Sequence, residues 1–585
     1  MKRAAHQHPP PRRNRLGQAL ALVLCLVMLL ASLVFSIVLR AREDGPADTQ
    51  TVTFQETASD AQLAGTWYRT GSDRGVVLAA GFGSDRMTLT LAATAFARAG
   101  FDVFTFDMPG HGTSGGKLGF DNAATAVTAN AYGDAVAEFL DLSGISPDRL
   151  VLVGHSMGAR SALQFASGSE IPFAGLVLLG TSVSLVPSTQ AGFFTATDDA
   201  TLPWVIALGP SKPSMPVALI SGTWDDILPP RAAIALYERL SGEDALLFPG
   251  SQGADALAPE VWLSPDGRRM LSLHPGTLHV FEPWSSRLLD ESVRFATDLT
   301  GGSTAGTASP RTAADLSLWL GALVLLLAGS VLALTALRPT PAPVQTAKSP
   351  ASSPFRAASY LFLRIALWLP ALLLAAILCG AALLLPVGLP VLNLVYAASV
   401  GGFGLVGLLA GRVFPRWASP LRRPVYDGAP RPRFAPSLGA LVFGLTLLGL
   451  LLGALLLWSR NGWFFLVPPN ARFLWVIVFA AWTVPGFVAG QRETDALRRI
   501  GADWPVRFAA LLVQYLPFFA LLLLFGALGS LSGALGAAFA LLALVLALAA
   551  GRLASFATGN RLVGSILSAL VLQALIQVQG ALLGF

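Results

Sequence analysis

Residues 150–166, LVLVGHSMGARSALQFA, constrain the fold more than any other part of this sequence. The stretch opens with a short apolar run, 150–153, whose length and β-branched content are typical of a buried strand. The letters GHSMG follow at 154–158, and 159–166 has the composition of a helix. A G-x-S-x-G turn between strand and helix is so tight that glycine must flank it. The pattern therefore predicts a strand–turn–helix unit that exposes the Ser156 hydroxyl.

Two interpretations of this turn are open at this point. In the first, Ser156 is a nucleophile at the positive end of the following helix, where a negatively charged oxygen would be stabilised. In the second, the five letters match by chance, since glycine, serine and alanine are common in this chain. The strand–turn–helix context, together with the partner residues described below, favours the nucleophile.

The composition indicates a membrane protein. Hydrophobic residues make up 54% of the 585 residues and charged residues 13%, against about a quarter in soluble domains. The mean hydropathy is +0.61. The net charge of +6 comes mainly from arginines beside apolar segments, without the basic and aromatic cluster of a nucleic-acid surface. The two cysteines give neither a disulfide framework nor a metal-binding spacing, so we expect no nucleic acid, metal or cofactor.

The N-terminal region predicts a membrane anchor. Residues 1–15 form a basic tail, and 16–39 are an apolar run of about spanning length. A cleaved signal peptide is the alternative, but the run is longer than usual and no small-residue cleavage site follows it. We therefore predict an uncleaved signal anchor. The arginines before it would keep the tail in the cytoplasm and put the following residues on the outer face.

Strand-like and helix-like segments alternate between residues 48 and 300. This alternation predicts a mostly parallel sheet with helices on both faces. The predicted strands are 65–69, 76–81, 102–107, 150–153, 174–181 and 217–221, and the predicted helices are 87–99, 129–143, 159–166 and 231–240.

The C-terminal half predicts a second, all-α domain. After a linker at 301–315, residues 316–585 are predicted to form a polytopic membrane domain of about eight helices. The apolar runs lie near 316–337, 360–385, 388–410, 437–458, 472–490, 507–528, 531–550 and 562–583. Basic residues concentrate in alternate loops, which would be cytoplasmic if residues 48–300 are outside. Few polar and many small residues in these runs favour tight helix packing over a pore.

Four short motifs between residues 76 and 296 together resemble the α/β-hydrolase superfamily, most closely its monoacylglycerol-lipase and serine-aminopeptidase-like branch. They are GHSMG at 154–158, DMPGHGTS at 107–114, GTWD at 222–225 and PGTLH at 275–279. The resemblance implies an α/β-hydrolase fold for 48–300, with a lid at about 184–215. The sequence departs from the family in having Ala80 before Gly81, where histidine is usual, and in the long separation of Asp225 from His279.

The resemblance implies a catalytic triad. A serine needs a base within hydrogen-bond reach, and the base is held by a carboxylate. His279 lies after a Pro-Gly turn, where the family places its base, whereas the competing His274 lies inside a strand-like run. Asp225 fits the family spacing G-x-x-D-x-x-x-P, and Asp226 is its neighbouring competitor. The expected triad is therefore Ser156, His279 and Asp225.

The resemblance also implies an oxyanion hole made of main-chain N–H groups. One would come from Met157, directly after the nucleophile, and the other from Phe82, in the loop after the strand at 76–81. His111, in the motif DMPGHGTS, is expected to be structural rather than catalytic.

These residues predict a membrane-anchored serine hydrolase on the outer face of the plasma (inner) membrane. The expected partners are the lipid bilayer and an ester substrate, for which a lipid-like acyl compound is a reasonable candidate beside a bilayer. The alternatives are an amidase or peptidase that uses the same triad, or a transporter or scaffold that carries a hydrolase-like binding module. The complete Ser–Asp–His set argues against the binding module, and protein partners are left open.

Overall fold

The fold is taken from a computed structural model. It describes residues 48–118, 123–181, 213–242, 259–302, 354–385, 387, 389–413, 470–499, 504–558 and 561–577, with four isolated residues between 23 and 34. Several predictions lie outside these residues: the tail 1–15, nearly all of the anchor 16–39 and of the lid 184–215, most of the linker 301–315, and the apolar runs 316–337 and 437–458.

A nine-stranded sheet organises residues 48–302, which we call the hydrolase domain. The strand order is β1-β2-β4-β3-β5-β6-β7-β9-β8. The strands are β1 (Asp48–Gln55), β2 (Gln62–Arg69), β3 (Gly75–Ala79), β4 (Asp102–Phe106), β5 (Leu150–His155), β6 (Gly175–Leu179), β7 (Val217–Gly222), β8 (Glu260–Leu263) and β9 (Arg269–His274). The six strands from β4 to β9 in this order pair in parallel, while β1, β2 and β8 pair antiparallel at the two ends. This confirms the mostly parallel sheet of an α/β-hydrolase.

The central strands are apolar along their whole length because helices cover both faces of the sheet. Every residue of β3, β4, β5, β6 and β7 is buried. The helices are α1 (Thr90–Arg98), α2 (Ala123–Ser143), α3 (Met157–Gly168), α4 (Pro230–Ser241) and α5 (Ser286–Thr300). Two apolar clusters result, one on each face. The buried Tyr132 hydroxyl of α2 lies within hydrogen-bond distance of the carbonyl oxygens of Val77 and Val153, at 2.7 and 2.9 Å, and so fixes this helix on the sheet.

The structure adds detail where the sequence pattern was weak. The helix predicted at 87–99 is divided into a 3-10 turn, Arg86–Leu89, and α1, because the Asp85 side chain accepts from the N–H groups of Met87 and Thr88. Strand β1 was not predicted, since its exposed and buried residues alternate in only its second half. The long insertion before His279 ends in the β8–β9 hairpin.

The described C-terminal residues between 354 and 577 are mostly helical, and we call them the membrane domain after the spans that the sequence predicts for them. The helices are α6 (Pro354–Ala366), α7 (Trp368–Leu383), α8 (Val391–Val413), α9 (Asn470–Arg499), α10 (Trp504–Gln514), α11 (Leu516–Ala527), α12 (Leu531–Thr558) and α13 (Arg561–Ile576). Four stretches in the described residues are long and apolar enough to cross a membrane: Tyr360–Leu383, Asn393–Ala410, Leu474–Thr494 and Leu531–Arg552. Helices α10 and α11 make a fifth if their 82° bend is counted within one span.

Small residues allow the C-terminal helices to approach closely, as the sequence predicted. A Cβ on Gly401 of α8 would lie 2.2 Å from the carbonyl oxygen of Trp482 in α9. A Cβ on Gly404 would lie equally close to the backbone nitrogen of Gly486. Glycine at these positions removes the side chains that would otherwise hold α8 and α9 apart.

Candidate active site

The turn between β5 and α3 places Ser156 in a strained conformation. Its φ and ψ are 54° and −116°, and Asp60 is the only other non-glycine residue with positive φ in the described part of the chain. A Cβ on Gly154 would lie 2.3 Å from the Gly158 backbone, and one on Gly158 would lie 2.3 Å from the carbonyl oxygen of Ala79. The glycines therefore permit the close contact of strand, turn and helix that the sequence predicted.

His279 and Asp225 form a buried pair at the carboxyl edge of the sheet. The Nδ1 atom of His279 lies 2.7 Å from Oδ2 of Asp225. The other oxygen of Asp225 accepts from the backbone N–H groups of Ile227 and Leu228, at 2.9 and 2.6 Å. These bonds fix the carboxylate so that it can hold the imidazole in one tautomer.

The two competing residues lie in other surroundings. His274, at the end of β9, is hydrogen-bonded through Nε2 to Ser272 at 3.1 Å. Asp226 bonds to Ser530 and Ser532 of the membrane domain. Of the two histidines and two aspartates considered from the sequence, the structure brings together the expected pair, His279 and Asp225.

His155, the neighbour of Ser156, lies against His279, and the end of β6 contacts the turn at Ser156. The rings of His155 and His279 are 4.8 Å apart, and Nε2 of His155 donates to the carbonyl of His279 at 3.1 Å. The next residue, Ser156, donates its backbone N–H to the carbonyl of Leu179 at 2.9 Å. Burial, with a smaller contribution from His279, lowers the pKa of His155 well below its usual value and keeps it neutral.

Glu282 is a second buried carboxyl group that sequence reasoning missed. It lies one 3-10 turn after His279, and none of its surface is exposed. Its Oε1 accepts from the N–H of Gly222 at 2.7 Å, and its Oε2 lies 3.6 Å from Nδ1 of His279. Burial, followed by repulsion from Asp225, raises its pKa well above the usual value. The signal in the sequence was an acidic residue three positions after the candidate base, within the apolar segment HVFEPW.

Gly180 gives these groups the space they occupy. Its φ is +47°, and an added Cβ would overlap Oε2 of Glu282 and lie 3.0 Å from Nδ1 of His279. Any other residue there would be strained and would displace His279 or Glu282.

The expected oxyanion loop lies against Ser156. A Cβ on Gly81 would be 2.9 Å from Cβ of Ser156. Phe82 follows with 57% of its surface exposed, and Met157 is buried at the first position of α3. Phe82 thus follows a residue that lies against Ser156, and Met157 directly succeeds Ser156 in the chain, while Ala80 replaces the family's usual histidine.

His111 supports this loop and is structural, as the sequence indicated. The N–H of Gly83 donates to Nε2 of His111 at 3.1 Å, so Nδ1 carries the proton and donates to the carbonyl of Pro109 at 3.0 Å. Burial is the main cause that lowers the pKa of His111 to about 4. The imidazole is therefore neutral and accepts a hydrogen bond directly beside Phe82.

We expect the His111→Gln variant to be less sensitive to acid than the wild type. An unfolded histidine takes up a proton near pH 6.5, but folded His111 does so only near pH 4. Its contribution to stability is therefore complete above pH 6.5 and is lost as the pH falls towards 4, by up to about 3 kcal/mol. Glutamine can still accept from Gly83 but does not titrate. Thermal unfolding at pH 7 and pH 4.5 should show a smaller acid-induced fall in the variant, and equal falls would contradict the assignment.

One group of side chains has the spacing of a metal site. The ligand atoms of His155, His279 and Glu282 lie within 4.8 Å of one another. However, Nε2 of His155 already donates to a carbonyl, and Nδ1 of His279 is bonded to Asp225. A histidine must offer a free nitrogen lone pair to a metal, so we interpret this group as a hydrogen-bonded part of the site.

The strand order, the turn at Ser156 and a family match define the hydrolase domain as an α/β-hydrolase. Residues 71–214 match the family model described as serine aminopeptidase, S33. The alpha/beta hydrolase domain-containing protein 17C of Mus musculus and that of Homo sapiens are both 27% identical to this chain over 151 residues. That alignment includes 24% of this chain and 42% and 41% of those proteins, so the chain covers about two fifths of their length.

Solved structures of esterases also align with the chain. An esterase from Pyrococcus furiosus is 18% identical, with a TM-score of 0.33, over 44% of this chain and 94% of its own. A thermophilic esterase from Thermogutta terrifontis is 18% identical, with a TM-score of 0.30, over 43% of this chain and 99% of its own.

Proposed function

We propose that this chain is a membrane-anchored serine hydrolase that cleaves an ester, with Ser156 as nucleophile, His279 as base and Asp225 as the acid that orients it. The observation that carries the proposal is the 2.7 Å contact between Asp225 and His279 beside the strained turn of Ser156. Strain of this kind persists only where the surrounding structure imposes it, and it collects at catalytic positions.

The reaction follows from the roles of these groups. The Oγ atom of Ser156 attacks the carbonyl carbon of the ester while His279 takes its proton. The oxygen that becomes negative is held by the N–H groups of Met157 and Phe82. His279 then returns the proton to the leaving alcohol, and an acyl-serine ester remains. Water, activated by His279, attacks this ester and releases the carboxylic acid and the free serine.

The charge pattern supports an outer-face position for the hydrolase domain. Arg472 and Ser530, close to the N-terminal ends of α9 and α12, bond to the hydrolase domain. The basic residues in 491–507 and 552–561 lie at and beyond the C-terminal ends of these two helices, and therefore at the opposite ends of the candidate spans. Loops rich in arginine favour the cytoplasm. A lipid-like acyl ester is the substrate class that such a site beside a bilayer favours.

A fluorophosphonate probe tests the proposal on intact membranes. The probe reacts with an activated serine, so we expect the wild type to be labelled and the Ser156→Ala variant to remain unlabelled. Ser161→Ala is the matched control, because Ser161 lies in α3 but its hydroxyl donates to the carbonyl of Met157. A folded wild type that takes no label would overturn the proposal. Matched ester and amide substrates would then separate an esterase from the amidase or peptidase alternative.

A further inference from the structure

Two contacts from the membrane domain reach loops of the candidate active site. The first is made by Arg472, in the first turn of α9. Only 3% of its surface is exposed, and its Nη2 atom donates to the carbonyl of Gly110 at 3.2 Å. Gly110 belongs to residues 107–114, the loop that follows β4 and contains His111.

This contact continues to the oxyanion loop. His111, next to Gly110, accepts the hydrogen bond from Gly83, and its ring lies 6.0 Å from that of Phe82. Arg472 thus binds the carbonyl of Gly110. The next residue, His111, supports the loop of Phe82, the expected oxyanion donor.

The charges around Arg472 act on the same two loops. Its positive charge interacts favourably with Asp85, which follows the oxyanion loop, and with Asp107, which begins the loop after β4. Asp107 accepts from the N–H groups of Arg86 and Thr113, at 2.7 and 2.9 Å, and so joins the two loops. A guanidinium beside two buried carboxyl groups reduces the repulsion that would separate them.

The second contact is made by Asp226, the neighbour of the expected catalytic acid. Its Oδ2 accepts from the hydroxyl of Ser530 at 2.9 Å and from the N–H of Ser532 at 3.0 Å, and its Oδ1 accepts from the hydroxyl of Ser532. A carboxylate is stabilised at a helix N-terminus, here the start of α12. The peptide unit between Asp225 and Asp226 therefore lies between the triad and the membrane domain.

We propose that the membrane domain positions the active site: Arg472 holds the oxyanion loop through Gly110 and His111, while Ser530 and Ser532 hold the Asp225 loop through Asp226. The inference rests on the proposed function. Both contacts lie at the ends of candidate spans, Leu474–Thr494 and Leu531–Arg552, and they reach loops after different strands, β4 and β7. Docking of the membrane domain thus sets the separation of oxyanion donor and acid. These residues are positioning residues, since none of them touches the reacting atoms.

The Arg472→Gln variant tests the first contact in the full chain, reconstituted in lipid nanodiscs. We expect kcat for ester hydrolysis to fall about tenfold, while KM stays within about twofold of the wild-type value. This fall in kcat is smaller than the loss of about a hundredfold or more that follows removal of an oxyanion donor itself. Arg472→Lys keeps the charge and should retain most of kcat. The matched control is Arg364→Gln, which removes a buried arginine bonded to Gln514 and Glu493 inside the membrane domain. The proposal would be contradicted if Arg364→Gln lowered kcat as much as Arg472→Gln does, or if Arg472→Gln left kcat unchanged.

Hydrogen exchange separates this inference from the proposed function. In Arg472→Gln, the amides of 81–86 and 107–114 should exchange faster than in the wild type, whether or not any substrate is turned over. Ser530→Ala combined with Ser532→Ala should have the same effect on 223–229, and the corresponding threonine variants, which keep the hydroxyls, should reverse it. If the variants exchange faster but the wild type does not react with fluorophosphonate, the proposed hydrolase is rejected and the docking is retained. Unchanged exchange in both sets would reject the positioning role.

Discussion

Replacing His279 with alanine is expected to lower kcat for ester hydrolysis by about 10⁴- to 10⁶-fold, because the serine then has no base and the leaving alcohol no acid. Binding should change little, since the imidazole acts on the proton of Ser156 rather than on the rest of the substrate. Single-turnover acylation with an activated ester measures the loss directly. It should appear in the acylation rate and not in KM.

His274 provides the matched control for this variant. It is also a buried histidine, but it bonds to Ser272 on β9 and lies outside the Asp225–His279 pair. The His274→Gln variant should therefore keep kcat within a few-fold of the wild type when rates are normalised to folded protein. Equal losses in the two histidine variants would reject His279 as the specific base.

Replacing Asp225 with asparagine is expected to reveal Glu282. In a Ser–His–Asp site the asparagine variant loses about 10⁴ in kcat, since the imidazole is held in the wrong tautomer. Here Glu282 lies 3.6 Å from the same nitrogen, and the neighbouring charge of Asp225 helps to keep it protonated. Once that charge is removed, Glu282 ionises more readily and can stabilise the imidazolium. We therefore expect a loss of only about 10²- to 10³-fold.

The double variant Asp225→Asn, Glu282→Gln decides this point. It should lose at least a further tenfold relative to Asp225→Asn, whereas Glu282→Gln alone should be nearly neutral, because glutamine has the shape of a protonated glutamic acid. Measured as a cycle of four kcat values, the two substitutions should be clearly non-additive. Additive losses would show that Glu282 does not replace Asp225.

The sequence predicted most of the framework of the site because its signals were local. Gly154 and Gly158 mark a turn that has no room for a side chain at either position, and the apolar strand 150–153 requires burial on both faces. The choice of Asp225 over Asp226 came from a family spacing, and the pairing with His279 agrees with it. The alternation of strands and helices sufficed for the parallel sheet, since parallel strands need crossover connections.

The rest depended on contacts between distant parts of the chain. Glu282 lies beside the Asp225–His279 pair only because a 3-10 turn follows His279. A single acidic residue in an apolar segment does not reveal such a turn. In the sequence, Arg472 is a positive residue beside an apolar run, and nothing there indicates a partner. In the structure it bonds to Gly110, 362 positions away in the chain. The bend between α10 and α11 lies within one apolar run, where hydropathy alone predicts a continuous span. The outer-face position and the number of spans stay predictions.

The adjacency of Asp225 and Asp226 bears on how inhibitors of such a protein should be sought. A truncated form that ends near residue 302 would contain Ser156, His279 and Asp225, yet Asp226 would face solvent in place of α12. Compounds ranked against the truncated form would be selected for binding to an Asp225 loop that lacks its contacts with Ser530 and Ser532. A screening assay on the full-length chain in lipid would rank them against the site as the whole molecule assembles it.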